Sequence, residues 1–297
     1  ELIGENYERM LRYIEKFEIN YEELSTEVET GGSVAEIQDG IGRTAYLKGK
    51  LYPKGVKIEK HPYGLKGMEA RVLPPTLYGM NLRLMNNELR RNVRSLAEFD
   101  KISLANALRE KEVSEQAIKL IDISLNYNSI ETVSAGAVLQ DSQKRREAGV
   151  IPIKIPGGND QITNALANAA RENGVRFVLS SKVKRIQQND KGVKAYFQTE
   201  DGNVKSIEAD KFVCTIPFSV LKEIVFSPPL PKQKMNAISE LDYTKNTKVL
   251  FQTKYAEWDK RALGSSIWTD TPIERIFSPV ATPGDEKAIF SIWSDGD

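Results

Sequence analysis

Apolar residues recur along this chain at two spacings, and the changes from one to the other divide it. Tyr7, Met10, Leu11, Ile14 and Phe17 fall at three- and four-residue steps, which predicts an amphipathic helix from Asn6 to Phe17 with Asn6 as its N-cap. From Leu24 to Gly67 the texture is that of strands and turns. Ala45 to Tyr52 predicts a hairpin that turns at Lys48-Gly49 and is closed by Pro53 and Gly55. Helical spacing returns between Leu82 and Gly149. Leu96, Phe99 and Ile102 precede a short piece at Leu104 to Leu108. Val113, Ala117, Leu120 and Ile121 mark another helix, and Val133, Ala137 and Val138 a further one. Helices in succession without strands between them predict a separate helical lobe. The polar run Gln140 to Glu147 reads as a solvated face and then a loop.

After Gly149 the pattern alternates. Ile151-Pro-Ile-Lys-Ile-Pro156 leads into Gly157-Gly158-Asn159-Asp160, and Ile162, Leu166, Ala169 and Ala170 predict a helix capped by Asn159 or Asp160 and ended by Gly174. Strands are expected at Val175 to Leu179, Val183 to Gln187, Val193 to Thr199 and Val204 to Ile207, with a hairpin turn at Asp201-Gly202. Ala209 to Thr215 reads as one more strand, entering a turn at Pro217. Phe226 to Pro231 is a rigid, proline-rich crossover, Lys232 to Leu241 a helix, Lys248 to Thr253 a strand, and Ala288 to Trp293 a buried strand.

Composition narrows the function classes. With 42 basic against 41 acidic side chains and a net charge of +1, there is no global basic field for binding nucleic acid. No apolar run approaches the roughly 20 residues that span a bilayer. The single cysteine, Cys214, excludes an internal disulfide framework and a multi-thiolate zinc site. The single histidine, His61, excludes multi-histidine metal centres and argues against a Ser-His-Asp hydrolase, so no metal site is expected. The 297 residues are enough for one large or two modest domains. Glu1 is not an initiator methionine and no secretory leader follows it, which suggests a processed chain or a piece of a longer one, with a cytoplasmic location as the expectation.

Several positions carry candidate chemistry beside a plainer reading. Gly157-Gly158 before a capped helix allows close backbone approach to a ligand, or is an ordinary tight turn. Cys214 reads as a small core hydrophobe and His61 as a surface residue. Arg83, Arg90, Arg91 and Arg94 mark an anion site or, more simply, an exposed helix face. Lys248 either snorkels to solvent or, if buried, has a chemical role. There is no Walker A motif and no G-x-G-x-x-G after a strand; Asp39-Gly-Ile-Gly42 lacks the third glycine.

A resemblance reaches further. Glu1-Leu-Ile-Gly-Glu-Asn6 resembles the segment that follows the flavin-binding glycines in FAD-dependent amine oxidases. Ile155-Pro-Gly-Gly-Asn-Asp-Gln-Ile162 resembles the turn that opens their helix returning to the flavin domain, and Ser181-Lys-Val-Lys-Arg-Ile186 the strand whose valine backbone meets the adenine. Ala209 to Pro217 and Phe226 to Pro231 are similar to the next two landmarks. Tyr243 to Trp258 resembles the strand whose lysine bonds through water to flavin N5, here Lys248. Tyr7 stands where these oxidases often have histidine.

The resemblance implies an α/β (α+β) fold: a substrate domain of mixed sheet plus helical lobe, with part of a discontinuous FAD-binding domain. Its divisions would be a flavin-domain-associated helix at 1–18, substrate domain at 19–85, helical lobe at 86–149, FAD-binding segment at 150–230 and substrate domain again at 231–297. The implied cofactor is FAD, contacted by Gly157, Gly158, Val183, Thr215 and Pro217, with Lys248 as the catalytic group. The implied reaction converts a small-molecule amine or amino acid to an imine with release of hydrogen peroxide, as in monoamine, L-amino-acid and polyamine oxidases. The N-terminal dinucleotide-binding unit would lie before Glu1 and a C-terminal flavin segment beyond Asp297. The expected partners are therefore those missing segments or a second copy in a homodimer. Carotenoid desaturases and protoporphyrinogen oxidases share the architecture, and a non-catalytic substrate-binding fragment is a further alternative.

Overall fold

The computed structural model describes residues 3–4, 7–23, 44–53, 58–72, 74–147, 152–253, 266–277 and 288–295. The chain divides into two units, Glu1–Thr163 with Thr244–Asp297, and Asn164–Tyr243. The first unit runs β1 (Ile3–Gly4), α1 (Glu8–Lys16), β2 (Glu22–Glu23), β3 (Thr44–Leu47) and β4 (Lys50–Tyr52). It continues with α2 (Pro74–Arg90), α3 (Leu96–Phe99), α4 (Leu104–Arg109), α5 (Glu115–Ile123), α6 (Ala135–Glu147) and β5 (Pro152–Lys154). The helix α7 (Asp160–Glu172) crosses into the second unit. That unit holds β6 (Lys182–Asn189), β7 (Gly192–Gln198), β8 (Val204–Ala209), α8 (Phe218–Leu221), β9 (Val225–Ser227) and α9 (Lys232–Glu240). The chain returns to the first unit with β10 (Asn246–Thr253), β11 (Ser266–Thr269), β12 (Arg275–Phe277) and β13 (Ala288–Asp295).

In the first unit the expected hairpin forms because Lys48 and Gly49 both adopt positive φ, 46° and 78°, the twist that joins β3 tightly to β4. The helical segment is started by serines. Ser95 and Glu98 form a reciprocal capping box, Ser103 Oγ accepts the Asn106 N–H at 3.1 Å, and Ser114 Oγ accepts the Ala117 N–H at 3.3 Å. Glu69 reaches from the preceding loop to accept both the N–H and the hydroxyl of Ser114, at 2.7 and 2.6 Å. Phe99, Leu104, Leu108, Ile121, Ile130 and Leu139 are fully buried, and the same core takes in Ala45, Leu47 and Trp268 from the strands. The helices and one face of a six-stranded sheet thus share a single apolar core. That sheet has the order β10-β13-β12-β11-β3-β4 and is antiparallel except where β11 runs parallel to β3. A three-stranded sheet places β5 between β1 and β2.

The second unit is a four-stranded sheet, β8-β7-β6-β9, whose one face packs Ile186 against Leu221, Ile224 and Ile238. Gly202, at φ 82°, makes the expected Asp-Gly turn between β7 and β8. The ladder of β6 with β7 shifts between Val183 and Arg185, a bulge that leaves Lys184 out of the pairing.

Six expectations are corrected. Val175–Leu179 and 211–215 form no strand and pair with none among the described residues. Their apolar side chains face solvent, Leu179 at 76% and Val213 at 85% exposure. A run of β-formers gives propensity only, whereas a strand needs a neighbour to take its hydrogen bonds. Cys214 lies in the second of these segments and is exposed rather than in a core. Gln140–Glu147 continues α6 instead of looping, since good helix formers and no Gly or Pro occupy it. The crossover at Phe226 starts as a strand, β9, running parallel to Arg185–Gln187. His61 is buried at 4% exposure. Asn6 and the glycines at 40 and 42 lie outside the described residues.

Gly136 marks the tightest approach in the helical core. A Cβ there would stand 2.8 Å from the Asp100 backbone nitrogen, where α6 crosses the end of α3. Gly136→Ala gains helix propensity but forces backbone apart, so it should lower stability by about 1–3 kcal/mol in chemical denaturation. An unchanged or higher midpoint would contradict that packing.

Candidate functional site

The Gly-Gly turn is built by its flanks. Ile153 and Ile155 are buried and fix the end of β5, and Ile162 is buried on the first turn of α7. Between these anchors the chain reverses through Gly157 and Gly158 at φ 87° and 114°, with the Gly158 N–H on the Ile155 carbonyl at 3.0 Å. Gln161 Nε2 donates to the Pro156 carbonyl at 2.5 Å and closes the loop. A Cβ on Gly157 would meet Gln161 Nε2 at 2.8 Å, and one on Gly158 would meet Asp160 Oδ1 at 2.7 Å. Positive φ and these close side chains both favour glycine at the two positions, at the N-terminal end of a 13-residue helix. At the other end Gly174, φ 81°, stops α7 as expected.

Lys248 lies in β10, at the edge of the six-stranded sheet, directly opposite Trp293 of β13. Its side chain is exposed, with Nζ 3.8 Å from the centre of the Trp293 ring. Residues paired across a sheet point to one side. A single row therefore runs Lys248, Trp293, Arg275, Trp268, Ala45 and Tyr52 over the strands.

Beside this row is a buried ionic cluster that the periodicity of the chain did not reveal. Arg275 and Asp295, at 11% and 2% side-chain exposure, form an ion pair, and Arg275 also donates to Asn126 in the loop after α5. Asn246 of β10 donates to the other oxygen of Asp295. Glu274 Oε2 accepts the Asp295 N–H at 2.9 Å and lies 3.8 Å from Arg275 Nη2. Burial raises the Glu274 carboxyl to about 7; Arg275 opposes the rise and the nearby Asp122 adds to it. Asp122 is itself raised, chiefly by burial, although it accepts the Ile130 N–H at 2.7 Å.

Val183, Thr215 and Pro217 belong to the second unit. Val183 is half-buried against its small core, next to the bulge. Thr215 is exposed in an irregular segment, and Pro217 starts α8, accepting the Leu221 N–H at 2.9 Å. Gly157, Gly158 and Lys248 belong to the first unit, on separate elements. The arginine face resolves as the plainer reading: Arg94 pairs with Glu110 at 2.5 Å and Arg90 donates to Asn87. His61 Nδ1 accepts the Tyr63 N–H at 3.3 Å, so its proton sits on Nε2; burial, then Lys48, lowers its pKa. Among the described residues there is no cluster of His, Cys, Asp or Glu able to hold a metal, and no helix is long and apolar enough to cross a membrane.

The family model for flavin containing amine oxidoreductases matches residues 3–296. The chain belongs to this family. Among relatives of the family, L-amino-acid oxidase of Crotalus adamanteus is 26% identical over 280 residues, 90% of this chain and 50% of that protein. L-amino acid oxidase bordonein-L of Crotalus durissus terrificus is 29% identical over 226 residues, 73% and 42% respectively. The chain thus spans about half the length of the curated relatives it matches. Its fold is that of cyclohexylamine oxidase from Brevibacterium oxydans, with TM-score 0.70 at 16% identity over 99% of this chain and 63% of the other. Putrescine oxidase bound to putrescine gives TM-score 0.68 at 12% identity, over 100% and 64%.

The ionic cluster generates a pH dependence. Below pH 4.5 Glu274 is protonated whether the chain is folded or unfolded. Between 4.5 and about 7 the unfolded chain ionises first, so stability falls as pH rises; above about 7 the penalty is constant. Denaturation midpoints across that range should show Glu274→Gln gaining on the parent between pH 4.5 and 7 and running parallel above. A parallel course throughout would place the carboxyl near its ordinary value.

Proposed function

We propose that this chain is part of an FAD-dependent oxidase that converts a small amine or amino acid to an imine with release of hydrogen peroxide. The observation that carries the reading is the Gly157-Gly158 turn, where two glycines at positive φ bring bare backbone to the start of a helix. The positive end of α7 suits a phosphate-bearing cofactor. Val183 offers its backbone, beside the bulge, to the adenine, and Thr215 and Pro217 offer an exposed irregular segment to the same group. The segment 150–230 accordingly supplies the flavin-domain share, and the flanking segments form the substrate domain.

When bound, the flavin supplies the hydride acceptor for the carbon that carries the amine, and dioxygen takes up the electron pair as hydrogen peroxide. The chain's own contribution is positional. Lys248, on a strand rather than a loop, holds its ammonium at a fixed height above the sheet, where it donates to the water expected beside flavin N5. The names of the relatives, L-amino-acid, putrescine and cyclohexylamine oxidases, support a primary amine on a small molecule as substrate. The part of the relatives' length that this chain does not match supplies the remaining cofactor contacts, and a second copy in a homodimer is the other partner proposed.

The test is a visible spectrum after FAD is added and the excess removed, taken on the chain together with the unmatched segments of a relative. A retained flavin band bleached by an amino acid or diamine is expected; no retained flavin, or no bleaching by either, overturns the reading. In that assembly Lys248→Met should slow flavin oxidation by about a hundredfold. Unchanged oxidation would remove Lys248 from the reaction.

A further inference from the structure

We propose that Trp293 is a positioning residue, its indole face holding the Lys248 ammonium in place. Lys248 Nζ stands 3.8 Å from the ring centre, closer than Lys48 over Tyr63 or Arg94 over Phe99, both at 4.3 Å. The ring is itself held on three sides. Its Nε1 donates to Ser291 Oγ at 2.6 Å, and the Phe277 ring meets it edge-on with centroids 5.6 Å apart at 73°. The Trp293 backbone is paired with β10 on one side and with Arg275 of β12 on the other. By contrast, the strand that carries Lys248 is exposed along nearly its whole length. A four-carbon stem on an edge strand has many rotamers, and a fixed negative ring face selects those that stand the ammonium over the indole. The contact stands on geometry alone; its role in oxidation rests on the assignment of Lys248 made above.

The experiment is lysine dimethylation with a ¹³C label, which keeps the positive charge, followed by ¹H–¹³C NMR of the chain. Lys248→Met identifies the Lys248 resonance by its loss. That resonance is expected upfield of the other lysines through the ring current of Trp293. It should return among them in Trp293→Leu and stay partly displaced in Trp293→Phe, with the remaining lysine signals unmoved. A Lys248 resonance among the surface lysines in the parent chain overturns the proposal, and this holds even if Trp293→Leu does not fold. In the flavin-loaded assembly, Trp293→Leu should slow flavin oxidation about tenfold and Trp293→Phe should restore most of it, as expected for a misplaced group. A displaced resonance combined with unchanged oxidation in Lys248→Met would keep the contact and sink only the reading of the reaction.

Discussion

One buried cation ties the sheet together. Arg275 sits between two tryptophans in the cross-strand row and reaches Asp295 on the next strand and Asn126 in the helical segment. Asp295 in turn takes a hydrogen bond from Asn246, the first residue of the edge strand. Desolvating such a pair offsets much of its attraction, so its net contribution to stability is small. Removing one partner is different, because it leaves a buried charge uncompensated at a cost of about 3–5 kcal/mol. The cluster thus ties the first residue of β10, two positions before Lys248, to the end of β13.

The chemistry-bearing residues are mounted in contrasting ways. The Gly-Gly turn is a loop, but buried isoleucines before and after it and a side-chain hydrogen bond across it leave it little freedom. Lys248 has a regular strand beneath it and an aromatic platform beside it. Thr215 has neither, lying in an irregular segment whose apolar neighbours face water. The turn and the lysine are each preorganised by their surroundings, whereas Thr215 is not.

Features set by neighbours in sequence were legible without coordinates. The Lys48-Gly49 and Asp201-Gly202 turns and the Gly174 stop follow from backbone conformations that glycine tolerates. The α1 and α5 helices follow from three- and four-residue spacing. What the residues alone did not reveal depends on partners far along the chain. The burial of His61, the facing of Lys248 and Trp293, and the Glu274–Arg275–Asp295 cluster all need the strand order first. The two apolar runs at Val175–Leu179 and 211–215 mislead for the same reason: a short run of β-formers marks strand propensity but carries no information about whether another strand is present. The Gly-Gly turn was visible as a turn, while its link to a flavin came from resemblance.

The end of the hairpin at Lys48 has a consequence for how the molecule comes into being. Its amide and the Tyr63 hydroxyl both donate to Asp270, and Lys48 and Asp270 are 222 residues apart in sequence. At about 5–20 residues per second, the ribosome takes roughly 10–45 s to deliver the acceptor after the donor. Through that interval β3 has a hairpin partner on one side only, while the serine-capped helices, whose contacts are local, are free to form at once. The nascent chain is thus a helical bundle carrying an unfinished sheet, and closure of that sheet waits on its last strands.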